Sequence, residues 1–210
     1  MILKCIYADR PHPEFLQLAD GYEAGFLDLA AIERYAGRPA YDMPESFLRR
    51  ALATGDECFA IRHGDELAAY GWYSSSANYF TEELTLHFAP EWVYMYRGFT
   101  NPAYRGKRLH AIGMTLALRA FLARGFKGLV SCVEKRNDAS LKSCYRMGYR
   151  PFGSIYGVTP GRLLGIRRSS LRLLNRQLVW CSPGCARFGF WLERTADDVL
   201  SPQGVHPLKV

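Results

Sequence analysis

Long apolar runs are missing from this chain: no stretch approaches the roughly 18 consecutive apolar residues of a bilayer-spanning helix, so no membrane span is expected. The first ten residues also lack the basic segment and long apolar stretch of an export signal, which predicts a cytoplasmic location. Missing too is any cysteine framework. Cysteines 5, 58, 132, 144, 181 and 185 are scattered and read as reduced core thiols. Cys181 and Cys185 form the only close pair, without a second pair or a His nearby. They predict two ordinary thiols in a turn around Ser182-Pro183-Gly184, and no metal. There is no internal repeat, low-complexity tract or clear linker. What remains is 210 residues, 49% apolar and 22% charged, enough to bury a core without staples.

Acid is scarce in one place only. Residues 92–187 hold 18 Lys/Arg against 2 Asp/Glu, whereas residues 1–91 hold 7 against 15. A concentrated positive field attracts polyanions, whether nucleic acid, a lipid surface or a phosphorylated cofactor. The basic residues are spread over predicted strands, loops and helices with no recognition-helix or RNA-sheet motif, so nucleic acid is not the expected partner.

Hydrophobic spacing predicts the elements. Ile2 to Tyr7 reads as a strand. From Pro13, the steps through Phe15, Leu18, Tyr22, Phe26 and Leu29 predict an amphipathic helix broken at Gly37 to Tyr41, and a second helix runs from about Pro44 to Ala53. Glu57 to Arg62 and Leu67 to Ser74 form a hairpin about His63-Gly64-Asp65. Trp92 to Thr100 is a strand with Trp92, Tyr94, Tyr96 and Gly98 on one face and Val93, Met95, Arg97 and Phe99 on the other. A long helix begins at Leu109 and ends at Gly125; Gly128 to Val133 is a buried strand, and Asp138 to Met147 a short helix stopped by Gly148. Two extended pieces, about Arg150 to Val158 and Arg162 to Arg168, follow.

The informative unit is strand, loop, helix: Phe99-Thr100-Asn101-Pro102-Ala103-Tyr104-Arg105-Gly106-Lys107-Arg108-Leu109-His110. A strand feeding a glycine-containing turn into a long helix aims unpaired backbone N–H groups at one place, with the positive end of the helix dipole behind them. Arg105, Lys107 and Arg108 at that end oppose the dipole unless an anion binds there. About thirty residues on comes Asn137-Asp138-Ala139-Ser140-Leu141-Lys142-Ser143-Cys144-Tyr145-Arg146-Met147-Gly148-Tyr149. Asn137 is a good N-cap, Ser140 lies in the first turn, and Tyr145 two turns after Asn137.

The first segment resembles the acyl-CoA pyrophosphate loop of the GCN5-related N-acetyltransferase (GNAT) family, Arg/Gln-x-x-Gly-x-Gly/Ala after a strand, often with Pro three residues before the Arg. Here Pro102 and Arg105-Gly106-Lys107 fit, while Arg108 and His110 stand where small residues are usual and must point sideways. The second segment resembles the family's Asn-x-x-Ser-x-x-x-Tyr-x-x-x-Gly-Phe signature, with Tyr149 for the Phe. The resemblance covers about residues 57–158. It implies an α/β fold with a mixed, mostly antiparallel central sheet flanked by helices: a domain over 1–168, and a C-terminal extension over 169–210 packed on or beside it.

The resemblance further implies direct transfer of an acyl group from acetyl-CoA or another acyl-CoA, as co-substrate, to a primary amine in a ternary complex. Phe99, Thr100, Arg105, Gly106, Lys107, Arg108, Leu109, His110, Asn137 and Ser140 are the implied cofactor contacts. Main-chain groups of Gly98 to Thr100, on a strand that splays from its neighbour, would hold the thioester. Tyr145 is the implied general acid, since a phenol, ordinarily near pKa ~10, is matched to a departing thiolate. Many relatives place a base carboxylate on the strand equivalent to Trp92 to Thr100, which has none here. Glu91 at its start and Glu134 near the end of the next strand are the candidates, acting through water, and solvent can also take the amine's proton. Asp20, Glu23, Asp28, Glu33 and Asp42 lie where the family receives its acceptor, and their field favours a cationic small-molecule or peptide amine. The oligomeric state is left open between monomer and homodimer. The alternative is a non-catalytic acyl-CoA-binding or regulatory protein of the same fold. His63, His87 and His206 have no sequence partners and are expected at the surface.

Overall fold

In the computed structural model, described over residues 2–81, 84–158 and 178–194, strand β1 (Ile2–Ala8) lies within an eight-stranded sheet. A 3₁₀ turn at Pro13–Phe15 precedes β2 (Tyr22–Phe26), then α1 (Leu29–Tyr35), α2 (Glu45–Ala53), β3 (Glu57–His63) and β4 (Glu66–Ser74). After β5 (Asn78–Thr81) and β6 (Leu84–His87) come β7 (Trp92–Thr100), α3 (Leu109–Ala123), β8 (Gly128–Glu134), α4 (Asp138–Arg146) and β9 (Arg150–Val158). Finally β10 (Leu178–Cys181), a 3₁₀ segment at Pro183–Phe188 and β11 (Trp191–Arg194) complete the described chain. The large sheet runs β10-β9-β1-β8-β7-β4-β3-β2 and the small one β11-β6-β5. Among the described residues only the β7–β8 pair is parallel; the other pairings are antiparallel. The expected mixed, mostly antiparallel α/β sheet flanked by helices is present.

Two layers cover the large sheet. On one face α3 and α4 bury Met114, Leu118, Phe121 and Cys144 against Ile6, Val93, Met95 and Leu129. On the other, α1 and α2 bury Ile32, Tyr35, Phe47 and Leu48 against Ala60, Tyr70 and Trp72. Further along that sheet Phe188 and Phe190 cover Cys5, Trp92, Tyr94 and Val130. The Cys5 sulfur lies 3.8 Å from that of Cys132 and 3.9 Å from that of Cys185, and all six cysteines are free. Among the described residues no helix is long and apolar enough to cross a membrane.

The helix expected from Pro13 through Leu29 does not form. Its apolar steps divide between the 3₁₀ turn, whose Phe15 packs beneath α3, and β2, whose backbone pairs with β3 from Tyr22↔His63 to Phe26↔Phe59. Tyr22 and Phe26 are four apart, a spacing that puts them on one face of a strand as well as of a helix, so the pattern was degenerate. Helix α1 starts only at Leu29, where the Asp28 side chain accepts from the Ala31 N–H at 2.7 Å. The hairpin, β7, α3, β8, α4 and β9 fall where the spacing puts them, whereas nothing in the spacing marks β5, β6, β10 or β11. The strand expected at Arg162 to Arg168, and His206, lie outside the described residues.

Candidate functional site

Strands β7 and β8 pair only from Trp92↔Gly128 to Met95↔Ser131. Past that point each strand follows its other neighbour, β7 with β4 as far as Thr100 and β8 with β1 as far as Glu134, so a V-shaped opening lies between them. The Ser131 hydroxyl donates to the Met95 carbonyl at 2.8 Å, at the apex. The expected splay of the strand carrying Gly98 to Thr100 is therefore present, and its cause is a bulge: Trp72 pairs with Arg97 and Tyr73 with Met95, which leaves Tyr96 as the extra residue.

The bulge also corrects the alternation expected along β7. Beyond it Arg97 and Phe99 turn to the face of Tyr96, where Arg97 lies over Phe47 at 4.5 Å and Phe99 stacks on Tyr70 at 5.3 Å. Gly98 turns to the α3 face instead. A Cβ there would sit 2.5 Å from His110 Cε1, so the missing side chain is the space that His110 fills. Burial lowers the pKa of His110 and keeps it neutral at pH 7.

At the start of α3, the amides of residues 106–111 donate to no acceptor among the described residues; the first amide with one is Ile112, to the Arg108 carbonyl. No side chain caps this helix. Gly106 has φ +82°, which its lack of a Cβ permits, and Arg108 is itself left-handed at φ +59°. The bulky residues after Gly106 do turn sideways: Arg108 Nη1 donates to Glu14 Oε1 at 2.5 Å, and Lys107 Nζ to the Tyr22 hydroxyl at 2.9 Å. Arg105 is exposed, with no ion pair among the described residues, so the loop offers free amides and one uncommitted guanidinium to an anion.

At α4, Asn137 Oδ1 accepts from the Ser140 N–H at 3.1 Å, and the amide NH2 of Asn137 has no partner among the described residues. Tyr145 is 43% exposed on the helix surface, and its phenol has no hydrogen-bond partner among the described residues. Glu134 ends β8 on the open side of the V, with its carboxylate exposed. Glu91 is not brought to this place. It precedes the opposite end of β7, roughly 20 Å of strand from Gly98, and its carboxylate binds Lys127 at 3.1 Å. Its own backbone N–H and Lys127 hold its pKa low, so it is a committed anion.

The sequence had not marked the pocket of about 170 Å³ where α2 and β5 meet the bulge. Asp56 lines it, buried, with Oδ2 accepting from Asn78 Nδ2 at 2.9 Å and from the Tyr96 hydroxyl at 2.8 Å. Asp56 Oδ1 and Arg97 Nε are buried without a hydrogen-bond partner. Burial raises the pKa of Asp56, partly opposed by its hydrogen bonds, and raises that of Tyr96 as well. No motif flagged Asp56, which follows the Gly55 stop of α2 and reads as a turn residue. Of the five acids expected around an acceptor, Asp28 caps α1, Glu23 pairs with Arg62, and Asp42 with Arg97 at 2.9 Å.

No curated protein shows significant sequence similarity to the chain. Among solved structures, a GNAT-family acetyltransferase of Novosphingobium aromaticivorans matches with a TM-score of 0.50 at 19% identity, over 73% of this chain and 60% of its own. A tandem GNAT protein from the clavulanic acid biosynthesis pathway matches with a TM-score of 0.51 at 11% identity, over 92% of this chain and 53% of its own. This chain thus spans little more than half the length of either, and at these identities the likeness is one of fold. The profile of the acetyltransferase (GNAT) family matches residues 24–149, a stretch that runs from β2 through the bulge, the amide-rich loop and α4. The chain belongs to the acetyltransferase (GNAT) family.

Proposed function

We propose that the chain transfers an acyl group, acetyl in the first instance, from acyl-CoA to a primary amine by direct attack in a ternary complex. The observation that carries this reading is the V between β7 and β8 beside the unpaired amides of residues 106–111. Backbone donors at a helix N-terminus suit a diphosphate, and an open strand edge suits an extended amide-bearing arm. Residues 1–168 then form the catalytic domain, with residues 169–210 as its extension.

In this reading the amides of residues 106–111 and Arg105 hold the diphosphate, with Lys107, Arg108, Leu109 and His110 shaping the turn. Phe99 and Thr100 line the arm's strand edge, and Asn137 and Ser140 its other side. Main-chain N–H groups of the opened strand stabilise charge developing on the thioester oxygen. The amine nitrogen attacks the carbonyl carbon, the C–S bond breaks, and the Tyr145 hydroxyl delivers a proton to the departing sulfur. The amine loses its protons through water to Glu134 or to solvent. Net, an ammonium and a thioester give an amide, a thiol and one released proton.

The test is calorimetry with acetyl-CoA, followed by thiol release with a panel of primary amines. Binding in the native chain, lost about tenfold or more in Gly106→Val, is the expected result. No binding would overturn the assignment. Binding without thiol release for any amine would instead establish the non-catalytic alternative.

A further inference from the structure

We propose that the acceptor is a small amino acid, its ammonium group held at Asp56 and Tyr96 and its carboxylate at Arg50 and Arg97. The inference rests on the acyltransferase reading and specifies the acceptor of the same site. It starts from the bulge on β7, which puts two consecutive side chains, Tyr96 and Arg97, on one face and into one pocket. A regular strand would have sent one of them to the α3 side.

The pocket presents charges of both signs. Asp56 lines it, 6% exposed; the Ser74 and Thr54 hydroxyls lie near its carboxylate, but Oδ1 accepts no hydrogen bond. A buried carboxylate oxygen without a donor is costly, and a bound ammonium group is the donor that relieves it. Arg97 lines the same pocket, with Nη2 committed to Asp42 and Nε buried without a partner. Beside it Arg50 lies 5.5 Å from the Tyr79 ring centre, with no carboxylate partner among the described residues. A plain alkylamine would leave the Arg50 guanidinium and the Arg97 Nε–H unmet, whereas a carboxylate on the same molecule accepts from both.

Size and position narrow the class. About 170 Å³ is below the range of drug-sized sites, so the part of the acceptor that enters it is compact. Placing the ammonium at Asp56 and the Tyr96 hydroxyl puts it at the side-chain tip of the bulge residue, which directly follows the last β7–β8 pair.

The test reads binding, so it does not depend on transfer. Saturation-transfer NMR on the full chain, with and without CoA, would compare glycine, alanine and β-alanine with ethylamine and with acetate and propionate. Expected is at least tenfold tighter binding of one or more amino acids than of either single-charge set. Arg50→Gln, an exposed substitution that leaves the core untouched, should bring that amino acid's affinity down to that of ethylamine. Equal binding of ethylamine or propionate, no binding of any amino acid, or an unaltered Arg50→Gln affinity would overturn the inference. Failure of the acyltransferase reading shows itself separately, as absence of acetyl-CoA binding in calorimetry.

Discussion

Asp56 illustrates how a functional group can burden the fold that carries it. Burial raises its carboxyl pKa above the ordinary 3.8, so the folded protein holds that proton more tightly than the unfolded chain does. The sign follows: between 3.8 and the raised value, stability from this group declines as pH rises, and at neutral pH the ionised form is a net cost. Asp56→Asn keeps an acceptor for Asn78 and Tyr96 while removing the charge. Thermal unfolding followed from pH 4 to 8 should therefore show a Tm at pH 7 no lower than native, with less decline as pH rises. A lower Tm at pH 7 would show that the ionised carboxylate stabilises the fold. Tyr145 makes the opposite case, an exposed side chain with no structural duty. Tyr145→Phe should leave unfolding and acetyl-CoA affinity within error and lower kcat by about 10²-fold or more, the scale of a lost general acid. An unchanged kcat would remove that role.

At the scale of the element, β7 and the start of α3 act as a pair. The bulge at Tyr96 opens the edge of β7, and Gly98 admits the His110 ring from α3 beneath it. Gly98→Ala would press a methyl against His110 Cε1 and Met95 Cε, 2.5 and 2.9 Å away, so the side chains must move. Overpacking of this kind costs about 1–3 kcal/mol. Shortening the ring in Gly98→Ala/His110→Ala should recover part of that loss, a coupling that chemical denaturation of the four proteins in the cycle would measure. Strict additivity would mean that the two residues do not share the space. Most of this element pair was legible beforehand: alternation marked β7, Asn101-Pro102 its end, and Leu109 to Gly125 the helix. Two things were not. The bulge depends on how β4 pairs with β7, and Tyr22 with Phe26 carries a spacing common to helix and strand, decided by the backbone of β3.

At the scale of the molecule, the described residues 178–194 join the large sheet through one aromatic cluster. Phe188, 2% exposed, meets Phe152 at 4.1 Å, Tyr7 at 4.8 Å and Trp92 at 4.9 Å between ring centres. Residues far apart in sequence thus share one aromatic cluster, and β10 adds a strand beyond β9. Phe188→Ala should cost about 3–5 kcal/mol and lower the midpoint of a single transition seen alike by far-UV circular dichroism and tryptophan fluorescence. Two separated transitions would mean that residues 178–194 fold apart from the sheet. By itself the sequence determined the α/β pattern, the amide-rich turn at Gly106 and the placement of Asn137, Ser140 and Tyr145 on one short helix, because these depend on neighbours within a few residues. Only the tertiary structure decided that Glu91 is committed to Lys127, that Arg108 is drawn off to Glu14, and that Asp56, Tyr96 and Arg97 share a pocket. Those outcomes turn on strand register and on which elements meet across the sheet, and a single residue of slip at Tyr96 sets both the opening and its lining.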